Sequence, residues 1–120
     1  MLKVLVVDDD RDLQELIKDA LEDDGCLVSL ADDGTAALAL LPHVRPDVIV
    51  SDVLMPRMDG IELCHRLLAR PEYSAIPFIL FSEDAEVEGR RRCPATAFLP
   101  KPFSLATLQT LVRFFGGAGG

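Results

Sequence analysis

The chain has no tryptophan, one tyrosine, two histidines and three cysteines in 120 residues, and each scarcity closes a route. Cys26, Cys64 and Cys93 are odd in number and widely spaced, which fits neither a disulfide framework nor a paired-cysteine metal motif, so all three read as reduced thiols. His43 and His65 stand in helical or loop contexts without metal-ligand partners and read as ordinary surface histidines. Basic residues number 12 against 20 acidic ones, a formal net charge of −8. Their only run, Arg90 to Arg92, reads as a solvated helix end, which argues against a nucleic-acid surface. No apolar run approaches the roughly 18 residues of a membrane span. An N-terminus that turns acidic by Asp8 does not read as a signal peptide, so a cytoplasmic location is expected. A glycine-rich phosphate loop is also missing, which weakens a cofactor-binding reading.

What is present is a pattern of short β-rich runs alternating with longer runs of helical period, the signature of βα units around a parallel sheet. Strands are expected at residues 3–8, 26–31, 47–52, 76–81 and 97–99. Leu13, Leu16, Ile17, Ala20 and Leu21 recur at helical spacing until Gly25. Gly34 opens an Ala/Leu-rich helix that Pro42 should limit, and Leu63, Cys64, Leu67 and Leu68 carry a third. Asp10 reads as a helix N-cap and Asp59-Gly60 as a turn. Met55 and Met58 read as packing residues. Ser104 caps a last helix striped by Leu105, Leu108, Val112 and Phe115. Residues 82–97 offer Ala85 and Val87 as their apolar positions before Pro94, so a short or frayed fourth helix is expected there. One domain over residues 1–115 follows, with 116–120 a flexible glycine-rich tail or the start of a linker.

Three of the apolar runs end in chemistry. Val7 leads into Asp8 and Asp9, Val50 leads through Ser51 into Asp52, and Phe81 leads into Ser82. In a parallel sheet these ends converge on the edge where open α/β folds bind ligands. Two carboxylates about 4 Å apart repel by roughly 4 kcal/mol at an effective dielectric of 20, so such a cluster needs a counterion. Oxygen ligands without histidine or cysteine suit Mg²⁺, or Mn²⁺, rather than zinc.

VVDDD at 6–10, DVLMPRMDG at 52–60, a strand ending in Ser82 and KPF at 101–103 stand in an order and strand context that resemble the response-regulator receiver domain over residues 2–115. The resemblance implies a flavodoxin-like α/β/α fold with a five-stranded parallel sheet of order 2-1-3-4-5 and five helices. It implies Asp52 as phosphoacceptor, attacking the phosphoryl group of a phosphohistidine on a histidine kinase or phosphotransfer protein. It further implies Mg²⁺ held by Asp9, Asp52 and the backbone carbonyl of Leu54, with Asp8 acting through a coordinated water. Ser82 would hydrogen-bond the phosphoryl group and Lys101 would pair with it, aimed by a cis Lys101-Pro102 bond. Phe98 would rotate inward with the hydroxyl and so alter the surface of the segment after Ser82, the fifth strand and the last helix.

The implied role is thus a two-component phosphorelay module that assists its own phosphorylation without being an enzyme, and that presents its switched surface to a downstream effector as a monomer or weak homodimer. The segment from Ser82 to Lys101 is a few residues shorter than the family's, and Glu83 stands where a small residue is usual and where its charge would repel anions. Two alternatives therefore stay open. One is a pseudo-receiver acting as a constitutive interaction surface. The other is an aspartate-based phosphohydrolase, whose second Asp, two residues on, is Leu54 here.

Overall fold

Five short strands, β1 (Lys3–Val7), β2 (Leu27–Ala31), β3 (Val48–Asp52), β4 (Phe78–Ser82) and β5 (Ala97–Pro100), form one parallel sheet of order β2-β1-β3-β4-β5. The structure, a computed structural model, describes residues 1–55, 57–82 and 95–118, apart from the side chains of Ser82 and Ala118. Register pairs Val4 with both Val28 and Val48, Asp52 with Phe81, and Ser82 with Pro100. β3 is therefore the central strand, and β1 lies beside it inside the sheet.

Strand side chains alternate between faces with a period of two, and the core divides accordingly. Leu5, Val7, Ile49 and Leu80 pack on one side with Ala37 and Leu41 of α2 (Gly34–Val44) and Leu63 and Leu67 of α3 (Gly60–Leu68). Val4, Val6, Val48, Val50, Ile79 and Phe81 pack on the other with Ile17 and Leu21 of α1 (Arg11–Asp23) and Leu108 and Val112 of α4 (Leu105–Ala118). Because both faces are covered there, the inner strands β1, β3 and β4 read as nearly unbroken apolar runs rather than alternating ones. Among the described residues four helices are present, and none is long and apolar enough to cross a membrane. The short helix expected after Ser82 falls on residues 83–94, outside the described residues.

Each described helix starts with a side-chain cap. Asp10 accepts from the amides of Asp12 and Leu13, Asp33 from Ala36, Asp59 from Glu62 and Ser104 from Thr107. Each cap satisfies donors the helix cannot, contributing about 1 kcal/mol. Two helices outrun the sequence expectation. In α2 the chain stays helical through Pro42 to Val44 and closes at Arg45, whose φ of 49° is left-handed and whose amide donates to Leu41. Pro42 forfeits one intrahelical bond in the last turn. The last helix runs past Phe115 because Gly116 lies directly on the sheet. A Cβ there would stand 2.7 Å from Val48 Cγ2. Cys26 is a buried free thiol. Cys64 is disulfide-bonded, against the reduced state its spacing suggested, because sequence spacing carries no information on which thiols the fold brings together. Cys93 lies outside the described residues.

Candidate functional site

The turn after β1 carries the first carboxylates. Asp8 is fully buried; its amide donates to the Ala31 carbonyl at 3.0 Å, and its Oδ1 accepts from the Asp10 amide at 2.9 Å. Among the described residues its Oδ2 is the one buried side-chain oxygen or nitrogen without a hydrogen-bond partner. Behind it Gln14, buried on α1, donates to the carbonyls of Asp8 and Ala31 and, at 2.9 Å, to Asp32 Oδ1. This side chain ties the ends of β1 and β2 to the first turn of α1. Sequence reasoning missed it, although a polar residue in register with Ile17 and Leu21 on the buried helix face was the available signal.

Asp52 closes β3, 6% exposed. Its Oδ1 accepts from the Val53 amide at 2.8 Å and its Oδ2 from Lys101 Nζ at 3.2 Å. Gly60, read from sequence as part of a turn, does more than turn the chain. A Cβ at 60 would fall 2.1 Å from the Asp52 carbonyl oxygen, so only glycine lets α3 begin flush against the end of β3. Lys101 arrives after β5 through a cis bond to Pro102. Its ammonium stands 5.2 Å from the Phe81 ring centroid, within cation–π range, and Phe103 packs edge-on against that ring. Nothing in the sequence separated Phe81 from the other core aromatics.

Asp8, Asp9 and Asp52 each bring one carboxylate oxygen to within 4.8 Å of the others. Burial raises the Asp8 pKa to about 6; the negative charges of Asp52 and Asp9 add to this, while the Asp10 amide and Lys101 oppose it. Burial also raises the Asp52 pKa, against the charge and hydrogen bond of Lys101 and the amides of Val53 and Leu54. Two buried acids and an exposed third share a single ammonium. A hard divalent cation fits this donor set, since every ligand is oxygen and the Asp8 Oδ2 lone pairs have no other use. Leu54 is 75% exposed beside the cluster. Asp59, by contrast, is occupied as the cap of α3. Ser82 closes β4 in register with Pro100, its side chain outside the description, and Phe98 is half-buried against the core face of α2 and α3.

A family model for the response regulator receiver domain matches residues 4–113. The chain belongs to that family. It is 40% identical over 114 residues to the response regulator MprA of Mycobacterium sp. (strain KMS), covering 93% of this receiver and 49% of the relative. MprA of Mycobacterium leprae is 39% identical, with 93% and 50% covered. The receiver thus spans about half the length of the curated relatives it matches.

Among solved structures, the signal receiver domain of a histidine kinase from Syntrophus aciditrophicus superposes with a TM-score of 0.91 at 33% identity, covering 98% of this chain and 92% of that one. The Vibrio cholerae chemotaxis protein CheY4 gives 0.86 at 34% identity, with 96% and 98% covered. The receiver domain of a Pseudomonas aeruginosa sensor histidine kinase gives 0.87 at 28% identity, with 97% and 98% covered, and that protein has a magnesium ion coordinated in its active-site cleft. Receiver domains of response regulators are signalling domains of two-component systems, and phosphorylation on aspartate goes with the family.

Proposed function

We propose that this receiver takes a phosphoryl group onto Asp52 from a phosphohistidine of a histidine kinase or phosphotransfer protein in the cytoplasm, and thereby switches a surface read by a downstream effector. The reading is carried by one observation: three carboxylates and one lysine from three separate strand ends meet at a single point, with Lys101 already on Asp52. An Asp52 carboxylate oxygen attacks phosphorus, the bond from phosphorus to the imidazole nitrogen breaks, and the electron pair leaves with that nitrogen. Asp9, Asp52 and the Leu54 carbonyl would hold Mg²⁺, with Asp8 acting through a coordinated water; Mn²⁺ suits the same ligands. When bound, the ion neutralises charge on the phosphoryl oxygens.

Lys101 supplies the second positive charge and is released from Asp52 to follow a phosphoryl oxygen, because such transfer needs positioning and charge neutralisation more than covalent help. Ser82 donates to another oxygen, and Phe98 follows it inward. Phosphorylation adds about −1.5 to −2 charge at Asp52, enough to draw both partners in. A cleft of about 590 Å³, lined by Leu13, Leu16, Pro102, Phe103, Leu105 and Lys101, supports a protein as donor, since this apolar surface includes the lysine that rests on the reacting carboxylate. Residues 1–115 make up the receiver in this reading.

The test is incubation with Mg²⁺ and acetyl phosphate followed by mass measurement. An acid-stable, base-labile gain of one phosphoryl group is expected, lost in Asp52→Asn and kept in Asp59→Asn. No gain despite Mg²⁺ binding would leave the pseudo-receiver as the better reading.

A further inference from the structure

Val53, Leu54 and Met55 follow the acceptor aspartate, and Arg57, Met58 and Asp59 lead into α3. The near end of this loop is held by backbone. The Val53 amide donates to Asp52 Oδ1 and to the Phe81 carbonyl, and the Gly60 amide donates to the Val53 carbonyl at 2.8 Å. Leu54 itself is largely exposed, so its own side chain does little to place its carbonyl.

At the far end the loop docks on the start of α2. Met58 packs onto Gly34, where a Cβ would lie 2.8 Å from its sulfur. Arg57 Nε and Nη2 both stand 2.8 Å from Asp33 Oδ2. The Asp33 side chain is 4% exposed, and its other oxygen caps α2 through the Ala36 amide. The α2 cap and Arg57 together hold the Asp33 pKa below the usual carboxylate range. Arg57 makes this contact from a left-handed backbone, φ 65°, a conformation that favours glycine.

We infer that Arg57 is a positioning residue: through Asp33 it pins the far end of the loop and so sets the Leu54 carbonyl for the divalent cation. The inference rests on the proposed Mg²⁺ site. It needs no contact between Arg57 and the ion, only a loop anchored at both ends.

Arg57 is 72% exposed, so its replacement leaves the core intact. Arg57→Gly relieves the left-handed strain while removing the grip, which makes stability and metal affinity move apart. Asp33→Ser keeps a competent cap for α2 but is too short to reach Arg57. Calorimetric titration with Mg²⁺ alone and thermal melting are run on the whole chain for wild type, Arg57→Gly, Arg57→Lys, Asp33→Ser and the Arg57→Gly/Asp33→Ser double variant. The expected result is a dissociation constant raised about tenfold in Arg57→Gly, at an unchanged or higher Tm. Arg57→Lys should recover part of the affinity, and the double variant should bind no more weakly than Arg57→Gly, as coupled partners do. Acetyl-phosphate labelling should slow at low Mg²⁺ and match wild type at saturation. Affinities of Arg57→Gly and Asp33→Ser within twofold of wild type overturn the inference, and so does a loss of affinity that tracks a falling Tm. Wild-type protein that takes up no Mg²⁺ removes this inference together with the metal reading, whereas equal binding by wild type and variants removes this inference alone.

Discussion

The two edges of the sheet are built from the same strands to opposite ends. At the amino edge polar groups are matched: Asp47 accepts from the Lys3 amide at 2.8 Å and returns its own amide to the Lys3 carbonyl at 2.7 Å, and Thr96 and Phe78 exchange two bonds of 2.9 Å. At the carboxyl edge Asp8 and Asp52 are buried, three carboxylates crowd together, and among the described residues Asp8 Oδ2 has no hydrogen-bond partner. One edge is arranged for stability. The other, among the described residues, gathers three carboxylates around the Lys101 ammonium.

The comparison breaks most visibly at Lys101. Lys101→Ala removes the fixed positive charge facing Asp52, and labelling by acetyl phosphate should slow by about 10². A rate within threefold of wild type would mean that the lysine only balances Asp52 in the resting state.

Asp8 sharpens the comparison through pH. Its carboxyl titrates near 3.8 when unfolded and about 6 when folded. Between these values the folded chain holds a proton the unfolded chain has released, so without metal, stability falls as pH rises through the window. Above pH 6 the deficit stays constant at about 3 kcal/mol. Asp8→Asn should therefore raise metal-free stability at pH 7.5 by a figure of that order and flatten the pH 4–6 slope, while weakening Mg²⁺ binding. Urea titrations at pH 4, 5, 6 and 7.5 check both, and an Asp8→Asn protein less stable than wild type at pH 7.5 would contradict the account.

The amino edge should behave in reverse. Asp47→Ala gives up its bond to the Lys3 amide and should cost about 1 kcal/mol in urea, with labelling rate and Mg²⁺ affinity unchanged. Any loss of labelling beyond the fraction unfolded would show that the edges are not separable.

The smallest effect is expected at Leu54, two residues past the acceptor and 75% exposed, whose apolar side chain would partly shield the acyl phosphate from water. Leu54→Asn should shorten the half-life of phosphorylated Asp52 several-fold, on the order of 1 kcal/mol in barrier, with no shift in the urea midpoint. A half-life that stays the same or lengthens would remove the shielding role.

How much of this was legible in the chain follows from the range of the forces. Apolar runs of strand length at residues 4–7 and 48–50, helical spacing from Leu13 to Leu21, and caps at Asp10 and Ser104 express preferences that act over a few residues. They marked the elements to within a residue or two. The glycines after Phe115 and Pro42 in α2 misled at helix ends, where packing on Val48 and closure at Arg45 outweighed local propensity.

At the site, the residue types were readable because a run of carboxylates at the end of a buried strand is chemically conspicuous. Their supports were not. Gln14 on Asp8, Gly60 against the Asp52 carbonyl, Phe81 beneath Lys101 and Arg57 on Asp33 link residues between 6 and 24 positions apart, and local patterns do not record such pairs.

The sequence by itself determined the parallel α/β class, the strand ends that carry charge, and the oxygen-only character of the ligand set, because these depend on composition and short-range periodicity. The tertiary structure alone decided which carboxylate is buried without a partner, that Lys101 rests on Asp52 across 49 residues, and that the loop after Asp52 is tied to α2. Burial and charge pairing depend on distances in space, and only the packed sheet sets those distances.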